Sequence, residues 1–161
     1  DMAAACDMRY CSEDAFFKIA EVDIGIAADV GTLQRLPSLI PLAVLRELAY
    51  TGRKCDSAEA KSLGLVNEVY SSVDNMMEEV QKIAQTIASK SPLVTRVIKK
   101  QINYARDNSV RDSLEYHAMW NASLISHKDT ETALTAFMNK SEGEFDDLEE
   151  LKSFWEKEGL I

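Results

Sequence analysis

The feature that most constrains the fold of this chain is a change of pattern at Val73. Before Val73, short runs rich in β-forming residues alternate with short helical runs, and glycines mark the turns between them. After Val73 no strand pattern is found, and apolar residues recur with the 3.6-residue period of an α-helix. We therefore expect an α/β fold over residues 1–72 and a helical layer from residue 73 onward.

Short strands and short helices are expected to follow one another in residues 1–72. The expected strands are Met8–Ser12, Ala15–Ala20 and Leu65–Tyr70. A helix over Leu42–Thr51 is favoured because it follows a proline and stops at Gly52, which are residue types typical of helix ends. A second helix is expected over Ala58–Leu63, with Ser57 as its N-cap and Gly64 as the left-handed residue after it.

Four longer helices are expected in the second part of the chain, residues 73–140. They are Asp74–Lys90, Pro92–Tyr104, one that begins at Ser109 and one over Lys128–Asn139. Each has apolar residues on one side, so each must pack against another surface, which is either the first part of the chain or another subunit.

The last segment, residues 141–161, contains eight acidic residues and two lysines and so carries −6 of the formal net charge of −9. Apolar residues recur within it at helical spacing, among them Phe145, Leu148 and Leu151. Two interpretations stay open: an amphipathic helix that docks on a protein surface, or a mostly solvated acidic tail. The sequence therefore divides into three parts, 1–72, 73–140 and 141–161.

The charge of the chain excludes several kinds of partner. With 18 Lys and Arg against 27 Asp and Glu, the chain has no excess of cations to neutralise a phosphate backbone or an anionic membrane surface. The longest apolar run, Leu39–Leu45, is seven residues long, which is far shorter than a membrane span. We expect a soluble protein that binds neither nucleic acid nor membranes.

Common motifs for metals, phosphates and nucleophilic catalysis are absent from the sequence. His117 and His127 have no Cys or carboxylate at metal-ligand spacing, so we expect no metal site and treat both as packing or surface residues. No glycine-rich phosphate loop and no GxSxG motif is present. Three cysteines, an odd number, argue against a disulfide framework and for a reducing compartment.

Two acids stand out in the segment AFFKIAEVDIGIAADVGTLQRL, residues 15–36. Glu21 and Asp29 both have apolar neighbours, and burial among such neighbours disfavours the charged form of a carboxyl group, which suits it to proton transfer. The alternative is that these acids, with Asp23, are loop and cap residues. In particular, Asp29 could cap a helix that begins near Thr32.

Two stretches carry a resemblance to a known family: ACDMRYCSEDAFFKIAEVDIGIAADVGTLQRLP at residues 5–37 and TGRKCDSAEAKSLGLVNEVY at residues 51–70. They resemble the crotonase (enoyl-CoA hydratase/isomerase) superfamily, and within it the Δ3,5-Δ2,4-dienoyl-CoA isomerases. The resemblance extends from Asp1 to about Met138. It implies the C-terminal part of a crotonase-like ββα spiral, followed by a helical region that builds trimers or hexamers.

The resemblance also implies the ligand and the surroundings of the protein. The substrate is an acyl-CoA thioester, no further cofactor is expected, and the compartment is mitochondrial or peroxisomal. The backbone N–H groups that stabilise the enolate oxygen in this family, and most CoA contacts, fall upstream of Asp1, so we expect the N-terminal part of the domain to be missing from this sequence.

Three acids occupy the positions at which the resemblance implies catalytic residues. Asp1 and Glu21 correspond to two carboxylates that lie twenty residues apart in the family's hydratases, and Asp29 corresponds to a further Asp of the isomerases. The implied reaction converts 3,5-dienoyl-CoA into 2,4-dienoyl-CoA in fatty-acid β-oxidation. It removes a proton at the α-carbon and adds one at the ε-carbon, so two acids at opposite ends of the conjugated chain are needed.

We assign Glu21 to the α-carbon and Asp29 to the ε-carbon, with Asp1 orienting and tuning the pair by charge and hydrogen bonding. One alternative is an enoyl-CoA hydratase of the same fold, which has no need of a carboxylate at Asp29. The other, from a different class, is a non-catalytic oligomerisation module.

Overall fold

The structure, a computed structural model, describes residues 1–125 and 127–148. Its strands are β1 (Tyr10–Ser12), β2 (Phe16–Phe17), β3 (Cys55–Asp56) and β4 (Glu68–Tyr70). Its helices are α1 (Met2–Ala5), α2 (Thr32–Arg35), α3 (Leu42–Thr51), α4 (Ser57–Ser62), α5 (Val73–Ala88), α6 (Pro92–Asp107), α7 (Val110–Ile125) and α8 (Lys128–Asn139). Two 3₁₀ turns cover Glu21–Ile24 and Leu36–Ser38.

The chain divides into two compact units, Asp1–Lys82 and Ile83–Ile161, and the division falls inside α5. In the first unit β1 pairs in parallel with β4, and β2 pairs antiparallel with β3. The α/β class expected for the first part is confirmed, and no strand follows β4 in the described residues. The three-part division drawn from the sequence stays a prediction.

All three expected strands are shorter than predicted, and for two of them the hydrogen bonds and strand pairing show why. The N–H groups of Leu65 and Val66 both donate to the carbonyl of Ala60 at the end of α4, so β4 begins only at Glu68. Likewise β2 is limited to two residues by its two-residue partner β3, a strand that the sequence did not predict. Leu65 and Val66 are instead buried in the core.

The first and last residues of a helix were predicted best where residues at or next to the helix end mark it. The bounds of α3 and α8 agree with the prediction. Gly64 adopts the left-handed conformation expected after α4, and Gly52, where α3 stops as expected, is left-handed too. The predicted cap of α4 is wrong. Asp56 is the N-cap, because its carboxylate accepts the N–H of Glu59 at 2.8 Å, whereas the Ser57 hydroxyl donates to the carbonyl of Glu13.

The hydrophobic core of the first unit lies among the strands and α2 to α4. Its buried residues are Cys11, Ile19, Ala28, Leu36, Ile40, Leu45, Leu48, Cys55, Ala60, Leu65 and Val66. Burial of this apolar surface provides the main stabilisation of the unit. It also fixes the positions of the turns that carry the candidate site residues.

In the second unit, α6 packs against α7 through aromatic side chains. The rings of Tyr104 and Tyr116 are stacked with centroids 4.2 Å apart, and Trp120 meets Tyr116 edge-on. Many apolar side chains on α6, α7 and α8 are nevertheless exposed, including Ile102 at 65% and Phe137 at 78%. The sequence predicted that another surface covers these apolar helix faces, but the described residues leave them exposed.

The acidic segment after α8 is described as far as Leu148. Residues 142–148 form no helix, and an ion pair between Lys128 and Asp146 ties them to α8. The rest of the predicted amphipathic helix or acidic tail, residues 149–161, lies outside the described residues. Among the helices that are described, none has the length and apolar character needed to cross a bilayer.

Candidate active site

A small cavity lies in the first unit, and one of the three candidate acids lines it. Its volume is about 70 Å³, well below the roughly 300–1,000 Å³ of ligand pockets, so in this chain it admits only a small group or a few waters. Its apolar lining consists of Ala3, Ala4, Phe17, Ile19, Leu36, Ile40, Leu48 and Leu65. Polar groups come from Asp1, Lys18, Thr32 and the thiol of Cys55.

Asp1 is joined to Thr32 by two hydrogen bonds to the same carboxylate oxygen. Oδ1 of Asp1 accepts the backbone N–H of Thr32 at 2.9 Å and its hydroxyl at 2.5 Å. Thr32 is the first residue of α2 and is buried. Its N–H is one of those that have no partner within a helix, so Asp1 acts as the cap of α2 from thirty-one residues away.

Glu21 opens the 3₁₀ turn Glu21–Ile24, and its side chain is half-buried. The turn ends at Gly25, whose left-handed backbone allows its N–H to donate to the carbonyls of Glu21 and Val22. In the described residues the Glu21 carboxylate forms no hydrogen bond or ion pair. It is therefore available to a ligand.

Two contacts hold this turn in place. Lys18 and Asp23 form an ion pair at 2.7 Å. At the end of α3, a Cβ on Gly52 would lie 2.9 Å from Oδ1 of Asp23 and 3.0 Å from Cγ1 of Val22, so the close approach of the turn to α3 depends on glycine at this position.

Asp29 lies on the loop that leads into α2, and it is exposed. The loop is held by Arg35, whose Nη1 donates to the carbonyl of Val30 at 3.0 Å. Gly31 has a φ of 107°, and a Cβ there would lie 1.9 Å from the same Nη1. Within the described residues the Asp29 carboxylate has no hydrogen-bond or ion-pair partner.

The hypothesis that Asp29 caps the helix near Thr32 is wrong, because the Thr32 N–H is already bonded to Asp1. The expected burial of Asp29 among apolar neighbours is also wrong. Ile26 is 54% exposed and Val30 67% exposed, so only Ala28 of these neighbours is buried. Thus the structure brings Asp1 and Thr32 together at the cavity, while Glu21 and Asp29 do not line it.

Cys55 is the most deeply buried side chain of the cavity lining, with 1% exposure. Burial and the nearby Glu59 raise the pKa of its thiol to about 11, so it is neutral at physiological pH and is not a nucleophile there. Glu59 itself is paired with Arg53 at 2.7 Å, a hydrogen bond that holds the pKa of this carboxyl below its usual range.

Both histidines serve the packing of the second unit. His117 contacts Gln101 at 2.6 Å and Asn121 at 2.8 Å, while Nδ1 of His127 accepts the N–H of Asp129 at the start of α8. Across residues 1–125 and 127–148, no three His, Cys, Asp or Glu side chains lie close enough together to hold a metal ion.

The comparison with protein families identifies this chain. The profile of the enoyl-CoA hydratase/isomerase family matches residues 1–148, and the chain belongs to this family. A crystal structure of enoyl-CoA hydratase from Bacillus anthracis superposes with a TM-score of 0.84 at 33% identity, over 88% of this chain and 55% of that one. The crotonase-type α/β fold expected from the resemblance is therefore confirmed.

Similar curated proteins point to one branch of the family. The chain is 46% identical over 145 residues to the peroxisomal Δ(3,5)-Δ(2,4)-dienoyl-CoA isomerase of Arabidopsis thaliana and 44% identical over 143 residues to the mitochondrial one of Rattus norvegicus. A probable enoyl-CoA hydratase of Arabidopsis thaliana is 36% identical. These alignments cover 90%, 88% and 87% of this chain, but the chain spans only about half of each relative: 52%, 44% and 46%.

The sequence reasoning missed Thr32 and Arg35, the two side chains that hold the Asp29 loop. A local signal for Arg35 exists, since a glycine four residues before an arginine leaves room for its guanidinium. No local signal exists for the pairing of Thr32 with Asp1, because the two are thirty-one residues apart.

Proposed function

We propose that this chain provides the carboxylates of a Δ3,5-Δ2,4-dienoyl-CoA isomerase that acts in fatty-acid β-oxidation. The observation that carries the proposal is the higher identity to curated dienoyl-CoA isomerases, 40–46%, than to the hydratases at 36% and 33%. The presence of all three acids, Asp1, Glu21 and Asp29, supports it.

In the proposed reaction Glu21 takes a proton from the α-carbon of a 3,5-dienoyl thioester. The electron pair moves into the conjugated chain, and the ε-carbon takes a proton from Asp29, which gives the 2,4-dienoyl thioester. The product is an isomer of the substrate, so no atom is gained or lost, and solvent returns Glu21 and Asp29 to their starting protonation states. Asp1 orients and tunes the pair by its charge.

The free state of the Glu21 and Asp29 carboxylates supports these roles. Neither carboxylate is used in a hydrogen bond or ion pair of the described chain, so both can accept or donate a proton. Each is also carried on a backbone segment that a neighbouring side chain holds, through the Lys18–Asp23 ion pair in one case and through Arg35 in the other. A free carboxylate on a fixed backbone is what positioned proton transfer requires.

The proposal includes an assembly and a compartment. We infer a homotrimer or hexamer in which the exposed apolar residues of α6 to α8 are covered, because surfaces of this kind mark interaction sites. The acyl-CoA thioester is the substrate, and no additional cofactor is proposed. Since similar isomerases are named as peroxisomal and mitochondrial, we propose one of these two compartments.

The test is the rate of 3,5-to-2,4 isomerisation by the natural full-length protein, measured by ultraviolet absorbance beside hydration of a 2-enoyl-CoA. Glu21→Gln and Asp29→Asn should each lower the isomerisation rate by about 10²–10⁴-fold, the usual contribution of a general acid or base. Glu13→Gln is the matched control, because the exposed carboxylate of Glu13 forms no bond in the described residues.

Deuterium exchange separates the two roles. In heavy water Asp29→Asn should still exchange the α-hydrogen through Glu21, whereas Glu21→Gln should not. Hydration without isomerisation would instead establish a hydratase, and absence of both activities would establish a non-catalytic module.

A further inference from the structure

The junction between Asp1 and Thr32 is unusual for a helix start. α2 has Gly31 at its N-cap position, and glycine has no side chain to accept the first N–H groups. The carboxylate of Asp1, thirty-one residues earlier in the chain, acts as the acceptor instead. Its Oδ1 accepts both the N–H and the hydroxyl of Thr32.

Burial makes this junction costly to break. Thr32 is 6% exposed, so its N–H and hydroxyl need another acceptor if the Asp1 carboxylate is lost. An unpaired buried donor is costly, and a hydrogen bond to a charged acceptor is among the stronger ones. The two residues therefore hold each other, and both line the same cavity.

The junction also reaches the Asp29 loop. Thr32 follows Asp29 by three residues, and the carbonyl of Val30, which lies between them, is bonded to Arg35. Fixing Thr32 against Asp1 thus sets the distance between the Asp1 carboxylate and the backbone of Asp29.

We propose that Thr32 is a positioning residue of the reaction: through its hydroxyl it holds the Asp1 carboxylate in register with the loop that carries Asp29. This inference rests on the proposed function for the identity of the reaction. Thr32 itself exchanges no proton with the substrate, and its effect passes through Asp1 and Asp29.

The test uses Thr32→Val and Thr32→Ser in the natural full-length protein. Valine keeps the shape and the N–H but removes the hydroxyl, and serine keeps the hydroxyl. Thr32→Val should lower kcat by about 10–100-fold, the scale of a small misplacement of a catalytic group, with KM changed by less than about twofold. Thr32→Ser should retain kcat within about threefold of the parent.

Thr51→Val is the matched control. It removes a threonine hydroxyl that donates to the carbonyl of Glu47 at 2.7 Å and accepts the N–H of Arg53 at 3.2 Å, and both bonds are exposed, so it should change neither kcat nor KM. A merely structural role for Thr32 predicts that activity falls only in proportion to the folded fraction, with kcat per folded Thr32→Val protein unchanged. That result would overturn the proposal.

A double-mutant cycle with Asp1→Ala, which removes the acceptor oxygen, decides whether Thr32 acts through Asp1. If it does, Thr32→Val should cost less than about threefold in the Asp1→Ala protein, because coupled residues give non-additive effects. Equal cost in both backgrounds would refute the inference.

The parent protein in the same assay reports on the proposed function alone. Should the parent hydrate a 2-enoyl-CoA and not isomerise a dienoyl-CoA, the isomerase proposal fails. The same cycle measured on hydration then supports or overturns the role of Thr32.

Discussion

Replacing Gly31 with alanine tests how the loop that carries Asp29 is held. Gly31 has a φ of 107°, a conformation that costs a residue with a Cβ about 1–3 kcal/mol. The new Cβ would also lie 1.9 Å from Nη1 of Arg35, so the guanidinium must leave its place and give up its hydrogen bond to Val30. That exposed bond contributes about 0.5–1.5 kcal/mol. We expect Gly31→Ala to lower the free energy of unfolding by about 1.5–4.5 kcal/mol in total.

Gly64→Ala is the matched control, because it changes the backbone without a steric clash. Gly64 has a φ of 76°, and a Cβ added there would meet nothing within 4 Å, so only backbone strain of about 1–2 kcal/mol is expected. Urea unfolding followed by far-ultraviolet circular dichroism measures both. The two tryptophans are unsuitable as probes because Trp120 and Trp155 fall in the second unit and the acidic tail.

Arg35→Ala completes the experiment. Alone it should cost about 0.5–1.5 kcal/mol, whereas in the Gly31→Ala protein it should cost almost nothing, since the bond is already lost. The reasoning is refuted if Gly31→Ala destabilises no more than Gly64→Ala, or if the effects of Gly31→Ala and Arg35→Ala simply add.

Three further perturbations test the first unit. Asp56→Ala removes the cap that accepts the N–H of Glu59 and should lower the free energy of unfolding in urea by about 1 kcal/mol. Leu48→Ala, at a side chain only 4% exposed, should cost about 2–5 kcal/mol in the same assay. Because the pKa of Cys55 is raised from 9.0 to about 11, a maleimide at pH 7 should label exposed Cys6 and spare Cys55 in the native protein. Stability from the neutral Cys55 thiol is complete below pH 9 and is lost as the pH rises through about 11, which alkaline unfolding measures.

The two substitutions and the labelling each have a contrary result. An Asp56→Ala protein as stable as its parent would mean that Ser57 or water replaces the cap. If Leu48→Ala lowers the free energy of unfolding by less than about 1 kcal/mol, neighbouring side chains must move into the volume that the leucine side chain leaves. Labelling of Cys55 as fast as Cys6 would mean that the first unit opens readily in solution.

Sequence reasoning succeeded where the signals are local. The bounds of α3 and α8 follow from residues at or next to the helix ends, and the first unit has the expected α/β character. It failed where a backbone group bonds to a distant partner. The strand β3 exists because Cys55 and Asp56 meet β2, about forty residues earlier in the chain, and no periodicity in two residues predicts that.

The Asp29 loop shows why the candidate site was only partly predictable. An acid shortly before a helix start is a candidate cap while the exact start is unknown, so the sequence left Asp29 with two interpretations. Thr32 is buried, however, and its donors require an acceptor inside the unit, which exposed Asp29 does not supply and Asp1 does. The long-range hydrogen bond from the Thr32 N–H to Asp1 thus excludes a capping role for Asp29 and leaves the Asp29 carboxylate free for a ligand. For the same reason, replacing Asp1 should weaken α2 and displace Asp29 together, an effect that no inspection of residues 29–35 alone would reveal.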